Sequence, residues 1–241
     1  MKKQGKPNAA TAEIYSTPVK GSQTSPHRNV VMQKQFSSSP TKAQDHLTVA
    51  QIAKKFNLVS TFETLEGHEG LPLEELKSLL EYSTILARDQ GGCRFLQKKI
   101  DEGNKEITDK IFKHTIDNYM DLMNDPFGNY LTQKITETCS EDQLTEIVKK
   151  VAEDPVGLCR NAHGTRSIQK IIETVKQPYQ IKLLASFLKD KVKELAEDIN
   201  GNHVIQKILF TWKPEHNQFI YDAMMRQCVE IACHKHGCCV M

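Results

Sequence analysis

The chain has 241 residues, 39% of them hydrophobic, which is enough for one substantial domain or for a stack of small units. No run of 18 or more apolar residues occurs, so the sequence predicts no membrane association. The formal net charge of +2 is unevenly divided: residues 1–45 carry seven Lys/Arg against two acids, whereas the remainder carries 25 Lys/Arg against 28 Asp/Glu. A slightly acidic folded region excludes nucleic-acid binding through bulk charge alone, so any such binding must rest on localised contacts.

The cysteines are odd in number and irregularly spaced, and no apolar signal segment follows the basic start of the chain. This pattern indicates reduced thiols in the cytosol or nucleus, and we expect a cytoplasmic protein. The seven cysteines are Cys93, Cys139, Cys159, Cys228, Cys233, Cys238 and Cys239.

Three regions follow one another along the chain. Residues 1–45 are basic, contain Ser-Pro and Thr-Pro pairs and lack a sustained apolar period, which predicts a disordered tail. Residues 46–71 have a mixed pattern that predicts a linker or an N-terminal cap. From residue 72 to 241, apolar residues recur every three or four positions, which predicts helix after helix. The longer helices are predicted at Leu73 to Ala87, Lys105 to Met123, Leu144 to Val151 and Ile181 to Leu195.

The helical region repeats itself. Five glycines, each of which defines one repeat numbered 1 to 5, are separated by 36, 36, 37 and 36 residues: Gly92, Gly128, Gly164, Gly201 and Gly237. A glutamine stands five residues after each of the first four glycines, and a lysine follows it at once. Such self-similarity at a fixed period indicates a repeat architecture. The one additional residue is predicted in the loop near Val175 to Tyr179, where Lys-Gln-Pro interrupts the helical pattern.

Each repeat is predicted to hold two helices and a short third one. A unit this small cannot bury its own apolar stripe, so neighbouring repeats must stack into an all-α solenoid. The stripe after each glycine consists of Phe95, Leu96 and Ile100; Leu131 and Ile135; Ile168, Ile171 and Ile172; and Val204, Ile205, Ile208 and Leu209.

Polar side chains occupy the same positions in every repeat. The residues one and five positions after the glycine lie one turn apart on a helix, and we call them the polar pairs: Cys93 with Gln97, Asn129 with Gln133, Thr165 with Gln169, and Asn202 with Gln206. The residues two positions after the glycine are the planar residues Arg94, Tyr130, Arg166 and His203. Small uncharged hydrogen-bonding groups suit the edge of a nucleic-acid base, and planar groups suit stacking on its face. In repeat 5 these positions are held by Cys238 and Cys239.

The strings FGNYLTQKI, HGTRSIQKI and NGNHVIQKI resemble the Pumilio-type (PUF) repeat family over about residues 72–241. The resemblance implies a right-handed α-solenoid with four complete repeats and a partial fifth, which binds single-stranded RNA antiparallel, one base per repeat. In this family a pair of Asn and Gln is associated with uracil, and a pair of Cys or Ser and Gln is associated with adenine. Thr165 departs from that pattern, and we assign adenine to its pair. The resemblance therefore implies the sequence 5′-UAUA-3′, with repeat 4 at the first uracil.

The resemblance also implies a biological role and a missing part. Family members bind messenger RNA and repress or destabilise it by recruiting a deadenylase complex or translational repressor proteins; we expect a monomer without a cofactor. The family usually has eight repeats, so the chain is expected to be a fragment or truncated product. It would lack the repeats that bind the UGU element at the 5′ end of typical targets, and it would lack the C-terminal cap. We therefore expect weak RNA affinity and poor solubility.

Two alternatives to RNA binding follow from the residues. The cluster of cysteines and histidines between Cys228 and Cys239 could hold zinc, although its spacing lacks the two separated ligand pairs usual for that metal. A helical-repeat scaffold for protein partners is the other alternative. No phosphate-binding loop, nucleophile elbow or paired-carboxylate motif is found, so we predict a protein that is not an enzyme.

Overall fold

The computed structural model describes residues 47–56 and 71–241, and every regular element in these ranges is a helix, which confirms the all-α prediction. The predicted tail and most of the predicted linker lie outside the described residues. The helices are α1 (Val49–Lys55), α2 (Leu73–Leu79), α3 (Ser83–Leu86), α4 (Gln90–Asp101), α5 (Lys105–Thr115), α6 (Tyr119–Met123), α7 (Gly128–Thr138), α8 (Glu141–Val151), α9 (Pro155–Arg160), α10 (Gly164–Thr174), α11 (Pro178–Leu188), α12 (Val192–Glu197), α13 (Gly201–Thr211), α14 (Pro214–Arg226) and α15 (Cys228–Cys233).

The repeat unit consists of a short helix, a central helix that begins at or just before the glycine, and an outer helix. Repeats 1 to 4 are α3–α5, α6–α8, α9–α11 and α12–α14, and α15 with a 3-10 helix at Gly237–Cys239 forms the described part of repeat 5. The central helices of neighbouring repeats pack side by side, so the units stack as predicted.

Three of the four long helical stretches predicted from the sequence are helical but are not single continuous α-helices. 3-10 helices at Leu80–Tyr82, Ile116–Asn118 and Lys189–Lys191 divide them where the outer helix of one unit gives way to the short helix of the next. At the second break the buried hydroxyl of Thr115 donates to the carbonyls of Ile111 and Phe112 (2.9 and 3.1 Å). Such a bond to the preceding turn competes with the helical ladder and bends the chain.

The additional residue of the third spacing lies in the predicted loop. The N-cap of the outer helix stands twelve residues after the glycine at Asn104, Ser140 and Lys213, but thirteen residues after Gly164, at Gln177. The loop between α10 and α11 thus has three residues, Val175–Gln177, where the loop between α7 and α8 has two. The insertion is placed after the central helix, so the stacking of the central helices is not displaced.

The repeated glycine is required by a close approach between two helices. A Cβ atom at any of the five glycines would lie between 2.2 and 2.8 Å from the carbonyl oxygen of the residue six positions earlier, closer than real Cβ atoms come. Those residues all belong to the short helices: Leu86, Leu122, Leu158, Leu195 and Ile231. Glycine therefore lets the central helix start against the short helix of its own repeat.

The predicted apolar stripe forms a core that runs continuously through the repeats. Leu96, Leu131, Ile168 and Val204 are fully buried in it, and only Leu209 of the predicted set is partly exposed. Ile52 of α1 is fully buried in the same core. This core holds the central helices in register, so residues at equivalent positions line up on the face that the core does not cover.

Candidate nucleic-acid interface

The two members of every complete polar pair are hydrogen-bonded to each other. In each repeat the Nε2 of the glutamine donates to the side chain one turn earlier. The bonds are Gln97 to Cys93 Sγ (3.2 Å), Gln133 to Asn129 Oδ1 (3.0 Å), Gln169 to Thr165 Oγ1 (3.2 Å) and Gln206 to Asn202 Oδ1 (2.8 Å). The helical spacing thus brings together the residues that the sequence paired.

The first residue of each pair is buried, whereas the glutamine is half-buried. Within the described part of the chain, no hydrogen bond reaches the Oε1 of any of the four glutamines. The Nε2 of Gln97 and that of Gln133 each donate a second bond, to the carbonyls of Cys93 (3.4 Å) and Asn129 (3.0 Å). Each complete repeat therefore keeps the amide oxygen of its glutamine as an acceptor for a ligand. The planar residues beside them, Arg94, Tyr130, Arg166 and His203, are all exposed.

In repeats 2 and 4 the asparagine is held entirely by its own repeat. Asn129 Nδ2 donates to the carbonyls of Asp125 (2.8 Å) and Pro126 (2.9 Å) in the turn before α7. Asn202 Nδ2 makes the same two bonds, to Asp198 (2.9 Å) and Ile199 (2.8 Å). Both amides are thereby fixed with their Oδ1 toward the glutamine.

In repeats 1 and 3 the first residue of the pair is held by the next repeat instead. Cys93 Sγ donates to the carbonyl of Phe127 (3.2 Å), and Thr165 Oγ1 donates to the carbonyl of Asn200 (3.2 Å). Burial raises the pKa of the Cys93 thiol, which keeps the proton needed for this bond. The polar pairs thus fall into two structural types that alternate along the stack.

A residue three positions before the glycine fixes the turn that leads into each central helix. Oxygens of Asp125, Asn161 and Asp198 each accept from two backbone N–H groups of this turn, and Asp89 accepts from one. Burial acts to raise the pKa of Asp198, but hydrogen bonds from Gly201, Asn200 and Arg160 lower it overall.

We did not identify these turn residues from the sequence. The signal is present, because the aligned strings contain Asp, Asp, Asn and Asp at this position. Such side chains are preferred acceptors for the free N–H groups at the start of a helix.

In repeats 2, 3 and 4 the lysine after the glutamine is paired with an acid of the preceding repeat. Lys134 pairs with Asp101, Lys170 with Glu137 (2.8 Å) and Lys207 with Glu173 (2.7 Å), and we call these three pairs the ion-pair ladder. A hydrogen bond from Lys207 lowers the pKa of Glu173, and one to Glu137 raises that of Lys170. The acids, nine residues after the glycine, were missed from the sequence. Their pairing neutralises lysines that lie one helical turn from the planar residues.

Repeat 5 is arranged differently from the other four. Cys238 and Cys239 lie exposed in the 3-10 helix, and Cys238 Sγ donates to the carbonyl of Lys235 (3.4 Å). All seven cysteines are free thiols. Within residues 47–56 and 71–241, no three His, Cys, Asp or Glu side chains are grouped so that they could hold a metal ion. No helix in these ranges is both long and apolar enough to cross a bilayer.

A stack of three-helix units, each with a hydrogen-bonded polar pair beside an exposed planar residue, defines an α-solenoid with a repeated polar face. The model of the Pumilio-family RNA binding repeat matches five segments of the chain, residues 85–116, 118–152, 156–186, 191–225 and 227–241. Together these segments cover more than half of the chain. The protein belongs to the Pumilio family of RNA-binding repeat proteins.

Similar proteins come from plants and yeasts. Pumilio homolog 11 of Arabidopsis thaliana is 38% identical over 89% of this chain and 41% of its own length. Suppressor protein MPT5 of Saccharomyces cerevisiae is 38% identical over 76% of this chain and 22% of its own length. The chain thus spans well under half the length of these relatives. Two further Arabidopsis relatives, pumilio homologs 7 and 8, are described as chloroplastic.

Solved structures of similar proteins contain RNA. The Puf4 RNA binding domain bound to the HO endonuclease RNA 3′ UTR recognition sequence matches 64% of this chain and 48% of that one, with 44% identity and a TM-score of 0.63. The RNA-binding domain of yeast Puf5p bound to SMX2 RNA matches 70% of this chain and 48% of that one, with 39% identity and a TM-score of 0.64. These structures support the PUF solenoid fold for this chain.

Proposed function

We propose that this chain binds single-stranded RNA sequence-specifically, with one base against the polar pair of each complete repeat. The observation that carries the proposal is the repeated state of the four glutamines. Each is anchored through its Nε2 to its partner and keeps its Oε1 as an acceptor beside an exposed planar side chain. Groups fixed in advance lose little entropy on binding and discriminate between base edges.

The proposed target is 5′-UAUA-3′ within the 3′ untranslated region of a messenger RNA. The two structural types of polar pair support two kinds of base, with asparagine repeats 2 and 4 at uracil and repeats 1 and 3 at adenine. The Puf4 relative was solved with a 3′ UTR recognition sequence, which supports the class of target. We further propose a monomeric, non-enzymatic repressor that recruits a deadenylase or translational repressor in the cytoplasm.

Direct binding tests the target. Equilibrium affinity of the whole chain is measured for a UAUA-containing oligonucleotide and for a scramble of the same composition at one fixed salt concentration. We expect the UAUA oligonucleotide to bind at least about tenfold more tightly, since a mismatched base typically costs 1–3 kcal/mol. Equal affinities would contradict the proposal.

Exchange of one polar pair gives a sharper test. By the family's pattern, the double variant Asn129→Ser, Gln133→Glu should prefer guanine over uracil at the position bound by repeat 2. The preferences at the other three positions should remain, because Asn129 and Gln133 make no hydrogen bond to the polar pairs of the other repeats. The measurement is affinity for all four bases at each of the four positions. The matched control is Asn118→Ser with Gln143→Glu on other helices, which should change no base preference.

Replacement of Gln97, Gln133, Gln169 and Gln206 by alanine separates RNA binding from a protein scaffold. An RNA-binding protein should lose base discrimination, because every complete repeat loses its free amide oxygen. A scaffold should keep its protein partners and show no base discrimination before the replacement either.

A further inference from the structure

Two backbone carbonyls on the polar face accept hydrogen bonds from two different repeats. The carbonyl of Phe127 accepts from Cys93 Sγ of repeat 1 (3.2 Å) and from the backbone N–H of Tyr130 in repeat 2 (3.0 Å). In the same way, the carbonyl of Asn200 accepts from Thr165 Oγ1 of repeat 3 (3.2 Å) and the N–H of His203 in repeat 4 (3.2 Å). Each carbonyl joins a polar-pair residue to the planar residue of the next repeat.

The junction between repeats 2 and 3 is built otherwise. The equivalent carbonyl, of His163, accepts the N–H of Arg166 (3.0 Å), but no side chain of repeat 2 donates to it in the described part of the chain. Asn129 instead donates to carbonyls of its own repeat, Asp125 and Pro126. The links therefore alternate, present from repeat 1 to 2 and from 3 to 4, and absent from 2 to 3.

The second link is held rigidly. Asn200 Nδ2 donates to the carbonyl of Arg160 (2.7 Å), and its N–H donates to Asp198 Oδ1 (2.9 Å). Arg160 Nε in turn donates to Asp198 Oδ2 (3.1 Å), which closes a ring of contacts between repeats 3 and 4. A displacement of the Asn200 carbonyl must therefore disturb both repeats.

We propose that the array recognises RNA in two coupled pairs of bases, one pair on repeats 1 and 2 and the other on repeats 3 and 4. The inference rests on the proposed function. A base that shifts Thr165 changes the bond to the Asn200 carbonyl, and this carbonyl fixes the backbone of His203 beneath the next base. Phe127 and Asn200 are thus positioning residues whose carbonyls transmit the change.

Coupling between neighbouring bases is measured with the wild-type chain, and only the RNA sequence is changed. Affinities are determined for single and double base changes at each pair of adjacent positions, and the double effect is compared with the product of the single effects. For repeats 1 and 2, and for repeats 3 and 4, we expect the double effect to differ from the product of the single effects by about threefold or more, as is typical of groups that share a partner. For repeats 2 and 3 we expect a departure below about twofold.

Three variants assign the coupling to the shared carbonyl. Thr165→Val removes the hydroxyl and should reduce coupling between repeats 3 and 4 to the level between repeats 2 and 3, while repeats 1 and 2 stay coupled. Thr165→Ser keeps the hydroxyl and should keep the coupling. Thr132→Val is the matched control. Thr132 is buried, and its hydroxyl bonds across the junction of repeats 2 and 3 to Ser167 Oγ (3.2 Å) and within its own helix to the carbonyl of Asn129 (2.9 Å), but to neither shared carbonyl.

The outcomes separate the two proposals. Equal coupling at all three junctions, or equal effects of Thr165→Val and Thr132→Val, would overturn the inference and leave the proposed function standing. If no single base change weakens binding by the wild-type chain, the proposed function is wrong, and so is the inference of coupled base recognition.

Discussion

Of the candidate site, the polar pairs could be predicted from individual residues of the sequence. Gln97, Gln133, Gln169 and Gln206 keep their identity in every complete repeat, and helical geometry places each beside its partner. The turn residues Asp125 and Asn161 were overlooked, since this position varies between acid and amide although its hydrogen bonds are the same. The alternation between self-held and neighbour-held pairs depends on distances across the stack, which no local pattern contains.

The cysteines differ in reactivity because they differ in burial. Burial raises the pKa of Cys159 to about 12 and that of Cys139 to about 11, and it also raises the pKa of Cys93. A raised folded-state pKa stabilises the fold below the ordinary thiol value, and this contribution is lost as the pH rises through the raised value.

We therefore expect native labelling with iodoacetamide at pH 8 to modify Cys228, Cys233, Cys238 and Cys239 rapidly, because these four are exposed. The fully buried Cys159 should react at least about a hundredfold more slowly, since it requires an opening of the fold. Peptide mass spectrometry measures the rates, and unfolding in urea should equalise all seven. Rapid native labelling of Cys159 would contradict the described packing.

At the scale of the helices, the existence and order of elements followed from periodicity, but their ends did not. The apolar period runs through Thr115 without a break, while the structure turns there through a 3-10 helix. The chain turns here because it leads into the short helix of the next repeat, and the local sequence pattern does not contain the position of that helix. The contact between short and central helices was likewise not deduced, although the repeated glycine marks it.

Gly128→Ala tests this contact. The added Cβ would lie 2.8 Å from the carbonyl oxygen of Leu122 and 3.1 Å from Leu122 Cδ2, so the helices must separate. We expect a loss of about 1–3 kcal/mol in unfolding free energy, as for other overpacked sites. Urea unfolding followed by circular dichroism measures it.

The matched control for this substitution is Gly103→Asn. A Cβ atom added at Gly103 would have no neighbour within 4 Å, and its φ of 73° is a conformation that asparagine adopts more readily than other non-glycine residues. The control should cost under about 1 kcal/mol. A Gly128→Ala protein as stable as wild type would show that the short helix yields without cost.

At the scale of the whole molecule, the ion pairs between repeats affect how the chain would attract phosphates. The ion-pair ladder pairs Lys134, Lys170 and Lys207 with acids of neighbouring repeats, so these lysines add little to the attraction for phosphates. Exposed pairs of this kind contribute at most about 1 kcal/mol each to stability. Their larger effect should be on the salt dependence of RNA binding.

We predict that the triple variant Asp101→Asn, Glu137→Gln, Glu173→Gln binds RNA with a steeper salt dependence than wild type. Each lysine released to a phosphate should add about 0.7 to the slope of log affinity against log salt, or about 2 for three. Titrations between 50 and 200 mM salt provide the slopes.

The control for bulk charge is Glu74→Gln, Glu81→Gln, Glu106→Gln. It makes the same change in net charge at ion pairs on α2, the following 3-10 helix and α5, away from the ladder. If both triple variants steepen the slope equally, the ladder has no local role and net charge alone sets the salt dependence.

The loop of residues 175–177 makes the third repeat one residue longer, and it lies after the central helix α10 and not within it. The chain already tolerates a change of length there, and Lys176 at its centre is exposed. This loop is therefore an attachment point for a peptide tag, a fluorophore or a whole effector domain. Cargo grafted between Lys176 and Gln177 would be attached outside the central helices, which carry the polar pairs.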